Sequence, residues 1–104
     1  MSRRSSPKLR HTHLEYYLGG KRRPPILKEE FWQAEDGAVT RYSLAYIDPS
    51  IFPGDNGRVL GYDNAHGHHH RHFEGSEEDF VFTGFEDLLE RFEKEVRQLR
   101  RKKP

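Results

Sequence analysis

The sequence feature that most constrains the fold is an apolar stripe near the C-terminus. Six large apolar residues recur there at helical spacing: Phe85, Leu88, Leu89, Phe92, Val96 and Leu99. Residues three and four positions apart share one side of an α-helix, so the pattern predicts an amphipathic helix over residues 84–101. Thr83 and Glu86 have the spacing of a capping box at its start. Such a helix needs an apolar surface to pack against.

A β-sheet is the surface that the preceding residues predict. Residues 38–47 alternate strictly, with Thr40, Tyr42, Leu44 and Tyr46 on one face. A hairpin turn signal, Asp36-Gly37, separates them from β-like residues 26–34. Residues 58–62, 70–73 and 80–82 are further short strand candidates, and residues 74–79 read as an acidic turn. We therefore predict an α+β fold: a small antiparallel sheet of four to five strands with the C-terminal helix packed on one face.

The N-terminal residues differ in composition from the rest of the chain. A length of 104 residues fits one small domain. Residues 1–23 hold seven Lys/Arg and one Glu, and the first ten lack any apolar period. We expect a basic, partly disordered arm over residues 1–23 and a single α+β domain over residues 24–104. Within the arm, an apolar patch at residues 14–18 is compatible with a strand or with one helical turn.

The charge is distributed unevenly along the chain. The formal net charge is +1, yet residues 1–23 carry +6, residues 97–104 carry +5 and residues 24–96 carry −10. Basic ends suit contact with a nucleic-acid backbone. They suit equally an acidic partner or the acidic body of a second copy, so self-association stays open. Solubilising tails are the simplest alternative.

Two absences narrow the class of protein. The chain has no cysteine, which excludes disulfides and thiolate zinc sites and favours a reducing cytoplasm. No apolar run approaches the roughly 20 residues that span a bilayer. We therefore expect a cytoplasmic protein without a membrane partner.

Five of the seven histidines fall within residues 61–73. Side chains alternate along a strand, so His68, His70 and His72 would project from one face, successive members roughly 7 Å apart. That spacing suits one substrate contacted by two imidazoles, or a metal held by two or three. A solvated histidine-rich loop is the alternative.

The same region resembles the TumE family of toxin–antitoxin proteins. The resemblance rests on Tyr62-Asp63-Asn64, Gly67, His70-Arg71-His72, the aromatic segment 80–82 and the apolar helix stripe. It implies a prokaryotic toxin encoded beside an antitoxin that has a helix-turn-helix DNA-binding domain.

Together, the histidines and the resemblance suggest an endoribonuclease that needs no cofactor or metal. Such enzymes activate the 2′-hydroxyl of the RNA, which requires a base, an acid and a cation. His70 and His72 would exchange protons, Asp63 would orient one imidazole, and Arg71 would contact phosphate, although strand alternation places Arg71 on the opposite face. The residues assigned to RNA contact are Tyr62, Asn64, Arg22, Arg23, Arg100 and Arg101.

The alternative is a non-catalytic partner or regulatory protein, or a histidine-rich metal-binding protein, that acts with the antitoxin. Imidazole suits zinc, nickel or copper, and the candidate ligands would be His68, His70 and His72. Three histidines on one strand face are awkward for a tetrahedral site, so Asp63 would supply a carboxylate.

Overall fold

The structure, a computed structural model, describes residues 9–19 and 24–102. The elements in chain order are β1 (Arg10–Tyr17), β2 (Ile26–Gln33), β3 (Val39–Ile47), β4 (Arg58–Asp63), β5 (His70–Phe73), β6 (Ser76–Asp79) and α1 (Phe85–Lys102). The strands form one sheet in the order β1-β2-β3-β4-β5-β6, and every neighbouring pair is antiparallel. The predicted α+β class is confirmed, and the predicted strand number of four to five is corrected to six.

The core lies between the middle of the sheet and α1. The alternation predicted for β3 is confirmed, since Tyr42, Leu44 and Tyr46 are all buried. The buried apolar residues come from β3, β4 and α1: Tyr42, Leu44, Tyr46, Val59, Leu60, Tyr62, Leu88, Phe92 and Val96. Three tyrosines and one phenylalanine supply much of this core, and each ring removes about 150–250 Å² from water. The apolar stripe of α1 therefore packs as the sequence predicts.

The start of α1 differs in detail from the predicted capping box. The helix begins at Phe85, and the Leu88 amide donates to the carbonyl of Gly84 at 3.1 Å. Thr83 donates its hydroxyl to the Asp87 carboxylate at 3.3 Å. Acidic Glu86 and Asp87 occupy the first turn, where the helix dipole favours negative charge.

The sixth strand comes from the range that the sequence assigns to a basic arm. β1 pairs with β2 along its whole length, from Arg10 opposite Gln33 to Tyr17 opposite Ile26. Of the two structures compatible with the patch at residues 14–18, the strand is the one formed. Residues 1–8 and 20–23 lie outside the described residues, so the predicted disorder there stays a prediction.

The last strand is displaced from its predicted position. Residues 74–79 were expected to turn, but Ser76–Asp79 form β6, and residues 80–82 leave the sheet. The Phe80 ring meets Tyr62 edge-on at 5.1 Å, while Val81 is 84% exposed. Residues 80–82 do alternate, but Phe80 and Phe82 pack against the core on the α1 side instead of pairing in the sheet. An edge strand of four polar residues carries no hydrophobic period, which is why sequence patterning misses it.

Within residues 9–19 and 24–102, no helix has both the length and the apolarity that crossing a bilayer requires.

Candidate functional site

The two faces of the sheet have different environments. Directly paired residues of antiparallel strands share a face, so the register separates the side chains into two sets. Leu44 pairs with Tyr62 on the face that α1 covers, and Ser43 pairs with Asp63 on the other. We call the second face the open face, because no helix of the described ranges packs on it. Asp63 pairs onward with His70, and Gly61 pairs with His72.

Asp63, His70 and His72 form one cluster on the open face, named here the Asp63 cluster. His72 donates its Nε2–H to Asp63 Oδ2 at 2.9 Å, and His70 Nδ1 lies 3.4 Å from Asp63 Oδ1. The two imidazole rings are 6.2 Å apart between centroids. Strand spacing predicted that His70 and His72 share a face, with Asp63 orienting one imidazole, and the geometry brings the three side chains together.

The carboxylate of Asp63 assigns a tautomer to each imidazole. An ionised carboxylate only accepts hydrogen bonds, so the ring nitrogens that face it carry protons. In the neutral rings, His70 Nε2 and His72 Nδ1 are then the atoms with a free lone pair. These two atoms are the ones that can accept a proton from a ligand.

The loop after β4 fixes the position of Asp63. The Ala65 amide donates to Asp63 Oδ1 at 3.1 Å. Burial alone would raise the pKa of Asp63, but the hydrogen bonds from Ala65, His72 and His70 outweigh burial and lower this pKa. Asp63 is therefore ionised at neutral pH and acts as a hydrogen-bond acceptor.

Asn64 has a structural position in the same loop. Its Oδ1 accepts from the Tyr42 amide at 3.0 Å, and its Nδ2 donates to the Thr40 carbonyl at 3.0 Å. The side chain thus extends the ladder between β3 and β4 by one step. The sequence assigns Asn64 to RNA contact, but both polar atoms of its side chain, Oδ1 and Nδ2, form hydrogen bonds within the protein.

Arg71 and Tyr62 lie on the face that α1 covers, away from the Asp63 cluster. Arg71 donates to Glu95 at 2.6 Å, to Glu78 at 3.1 Å and to the Tyr62 hydroxyl at 3.1 Å. Tyr62 also donates to Glu95 and is only 1% exposed. Burial and then Glu95 raise the pKa of Tyr62 to about 12. Its ring has no face left on which a base could stack.

A different arginine, Arg58, lies beside Gly61 on the open face, and no sequence pattern marks it as a site residue. Gly61 lies opposite His72, and a Cβ at Gly61 would lie 2.9 Å from Arg58 Cδ. The stem of Arg58 therefore lies over Gly61, the residue opposite His72, while its Nε donates to Asp55 at 2.8 Å. A register shift between β3 and β4 near Arg58 produces this placement, and no residue pattern announces that shift.

Acidic side chains border the cluster on β6. Asp79 pairs with His70 and Glu77 with His72, which puts both carboxylates on the open face. Asp79 Oδ1 lies 3.9 Å from His70 Nε2, and Glu77 Oε1 lies 3.7 Å from His72 Nδ1. Both carboxylates are largely exposed, so water screens their charges and weakens their attraction to the histidines.

The other sequence-predicted residues lie apart from the cluster. His68 is exposed, with its ring 6.0 Å from that of His70. His69 points to the core side, where its ring stacks on Phe82 at 4.2 Å and its Nδ1 lies 2.8 Å from the Tyr42 hydroxyl. Arg100 and Arg101 are exposed near the end of α1. Arg22 and Arg23 lie outside the described residues.

The set of residues that could hold a metal also changes. The ligand atoms of Asp63, His70 and His72 all lie within 4.8 Å of one another. The sequence predicted His68, His70 and His72 as ligands with a carboxylate from Asp63, and His68 is not among the residues that converge. Two imidazoles and one carboxylate are suitable ligands for zinc.

Fold and site together define a small α+β protein with a histidine–carboxylate cluster on the open face of a meander sheet. The family described as "Toxin TumE" matches residues 7–100, nearly the whole chain. The chain therefore belongs to the TumE toxin family, which indicates a toxin of a toxin–antitoxin system with an antitoxin as partner. No curated protein and no solved structure matches it.

Proposed function

We propose that this TumE-family toxin cleaves RNA at the Asp63 cluster by proton transfer. The observation that carries the proposal is the pair of imidazoles that share one carboxylate on a face that α1 leaves uncovered. The open face leaves room for an extended single strand of RNA, whereas α1 fills the opposite face of the sheet. RNA carries its own nucleophile, the 2′-hydroxyl, so the protein needs no nucleophilic side chain.

Each imidazole has a defined role in this proposal. One neutral histidine takes the proton of the 2′-hydroxyl as the oxygen attacks the adjacent phosphorus. The other, as imidazolium, gives a proton to the departing 5′-oxygen. The P–O5′ bond breaks, and the products are a 2′,3′-cyclic phosphate and a 5′-hydroxyl. His70 Nε2 and His72 Nδ1 are the transferring atoms, because Asp63 holds the opposite nitrogens.

Arg58 takes the role that the sequence gave to Arg71. Arg71 is held by Glu95 on the other face, while the stem of Arg58 lies over Gly61, which pairs with His72. A guanidinium there would stabilise the charge that develops on the phosphate. Asp55, which bonds Arg58 Nε, would keep the guanidinium in place.

A second candidate function is a divalent-metal site at the same cluster. The observation that favours it is the surplus of carboxylates: Asp63 lies between the imidazoles, and Glu77 and Asp79 lie beside them. These carboxylates attract a cation and repel an anionic phosphate. A metal held by Asp63, His70 and His72 would serve either catalysis or structure.

The test measures cleavage of a single-stranded RNA by the purified full chain, with and without a chelator. We expect His70→Asn and His72→Asn each to slow cleavage about 10²- to 10⁴-fold, the usual range for positioned acid–base groups. The control is His66→Asn, because His66 is exposed and its φ of 60° suits asparagine.

The outcomes separate the candidates. Chelator-resistant cleavage that produces 2′,3′-cyclic phosphate, with a bell-shaped pH profile, supports the proton-transfer route. Cleavage that stops with chelator and returns with zinc moves the cluster to the metal function. Full activity in both asparagine variants, whose circular dichroism must match the parent, would reject the cluster as the active site.

We further propose that the antitoxin partner contains a helix-turn-helix domain, and that the toxin works in the cytoplasm. The family membership supports an antitoxin, and the resemblance to TumE proteins supports its class. Co-expression of the chain with the product of the adjacent reading frame tests this. A stable complex with a helix-turn-helix protein is expected, and an adjacent frame of another class would contradict it.

A further inference from the structure

A second group of histidines and a carboxylate lies at the opposite end of the open face. His13 of β1 pairs directly with Glu30 of β2, and His11 pairs with Trp32. His11 Nε2 lies 2.7 Å and His13 Nδ1 3.2 Å from the same oxygen, Glu30 Oε2. Proton transfer at the Asp63 cluster has no use for these residues. The spacing of His11 and His13 is that of His70 and His72, but only strand pairing joins Glu30 to them.

The three side chains converge closely enough to hold one metal ion. Their ligand atoms all lie within 4.8 Å of one another. Ligands of a tetrahedral zinc, at about 2.0–2.1 Å from the metal, stand about 3.4 Å apart. The two histidine nitrogens now lie 2.7 and 3.2 Å from Glu30 Oε2, so metal binding requires each of these distances to lengthen by less than about 1 Å. Rotation of the exposed side chains can supply that change. The metal would replace the protons that now join Glu30 to the two rings.

The surroundings orient both imidazoles as metal ligands require. His13 donates from its other nitrogen, Nε2, to Glu15 Oε1 at 3.0 Å, and the Tyr17 hydroxyl donates to Glu15 Oε2 at 3.2 Å. A carboxylate behind a ligating histidine fixes its tautomer and raises its basicity. The His11 ring is stacked on Trp32 at 4.5 Å with an interplanar angle of 10°.

We propose that His11, His13 and Glu30 form a binding site for a divalent metal of the zinc class. Two imidazoles and one carboxylate make a known zinc ligand set that leaves a fourth position for water. A bound ion would join the edge strand β1 to β2 across the open face. Glu30 pairs with Ser43 and Ser43 with Asp63, so the nearest members of the two clusters are two strands, roughly 10 Å, apart. This site is independent of the RNA chemistry proposed above.

Trp32 provides a local reporter for the test. It is the only tryptophan of the chain and stacks on His11, so its fluorescence reports an ion bound at this site. The parent protein for the measurement is the full chain with His70→Asn and His72→Asn, which removes the Asp63 cluster as a competitor. Copper(II), which quenches nearby indole emission, is titrated by fluorescence, and zinc is titrated by calorimetry.

We expect saturable quenching of Trp32 at one copper per chain and binding of one zinc. Adding His13→Asn or Glu30→Gln should weaken zinc binding at least 100-fold. Glu15→Gln, which removes only the carboxylate behind His13, should weaken it about 10- to 100-fold. The control is Glu35→Gln, an exposed acid beyond the end of β2 that should bind zinc as the parent does.

Several results would overturn the proposal. One is zinc binding unchanged by both His13→Asn and Glu30→Gln in chains with parental circular dichroism. Another is copper binding that leaves the Trp32 emission unquenched, which would assign the ion to the remaining histidines. A third is no binding at micromolar zinc in the parent protein.

Discussion

Asp63 joins two histidines of a neighbouring strand into one cluster. Its carboxylate accepts from the Ala65 amide and from both rings, and these bonds lower its pKa even though burial opposes them. A carboxyl group whose pKa is lower in the folded chain than in the unfolded chain stabilises the fold at pH values above its unfolded-state pKa. That contribution disappears as the pH falls through the folded value.

This gives a pH prediction for Asp63→Asn. The ordinary pKa of the group is 3.8, so the wild type should lose stability as the pH falls below about 4, and the variant should lack that part of the loss. Urea unfolding at pH 7 and at pH 3 measures both. An equal loss in wild type and variant would mean that the bonds to Asp63 contribute no net stability. His66→Asn serves as the matched surface control.

The two arginines near the histidine segment should respond oppositely to substitution. Arg71→Gln leaves Glu95 without its partner and should cost about 1.5–3 kcal/mol in unfolding free energy, the range for hydrogen bonds to charged groups. Arg58→Gln should leave stability nearly intact and slow RNA cleavage about 10- to 100-fold through loss of a charge-assisted contact. Thermal melts and cleavage rates of both variants decide this. A stability loss at Arg58 with normal cleavage would exclude its proposed role.

The contact between β2 and α1 contains a carboxyl in an unusual environment. Glu29 is 4% exposed and lies on the helix side of the sheet. Its Oε2 is buried and has no hydrogen-bond partner among the described residues. Burial first, and then Glu93 of α1, raise the pKa of Glu29 to about 8. Between about pH 4.5 and about pH 8, the folded protein therefore keeps a proton on Glu29 that the unfolded chain releases.

Glu29 should consequently make stability fall as the pH rises. Between about 4.5 and about 8 the folded state holds one more proton than the unfolded state, so the unfolding free energy should drop by at most about 1.4 kcal/mol per pH unit. Glu29→Gln keeps a donor toward Glu93 without needing a proton and should remove that slope. Urea unfolding between pH 5 and pH 9 measures it, with Glu90→Gln as control. Parallel slopes in Glu29→Gln and wild type would contradict the assignment.

Docking of α1 depends on Phe92 more than on its neighbours. Phe92 is fully buried and meets Tyr62 edge-on at 6.1 Å, whereas Leu89 is only partly buried. Phe92→Ala should cost about 3–5 kcal/mol, and Leu89→Ala should cost clearly less. Chemical denaturation of both variants provides the comparison. Equal costs would mean that α1 packs on a different side.

The sequence predicted elements with a strong hydrophobic period and missed those without one. The stripe of α1 and the alternation of β3 each fix a buried face, and both are confirmed. β6 consists of Ser76, Glu77, Glu78 and Asp79, so its pairing with β5 comes from backbone hydrogen bonds at a sheet edge. Such a strand cannot be recognised from side-chain patterning.

The candidate site was predictable only where one strand alone determines it. The spacing of His70 and His72 places both on one face, and the same alternation places Arg71 on the other. Arg58 beside Gly61, and His13 opposite Glu30, depend on how separate strands align. Local sequence does not encode that alignment, since register follows from all the pairs of the sheet together.

At the scale of the whole molecule, the described residues form a sheet with one packed face and one open face. α1 fills one side of the sheet, and the other side presents the Asp63 cluster, His11, His13, Glu30 and the stem of Arg58. A toxin built this way should depend on its open face for activity and on its helix face for stability. Substitutions at the two faces should therefore separate toxicity from folding.

The most direct test of this account is growth of a bacterial host during induced expression of the chain. Three forms are compared at equal protein level, measured by immunoblot: wild type, the double variant His70→Asn/His72→Asn, and His66→Asn. The account predicts growth arrest by wild type and by His66→Asn, and normal growth with the double variant. Growth arrest by the double variant as strong as that by wild type would contradict the assignment of toxicity to the Asp63 cluster.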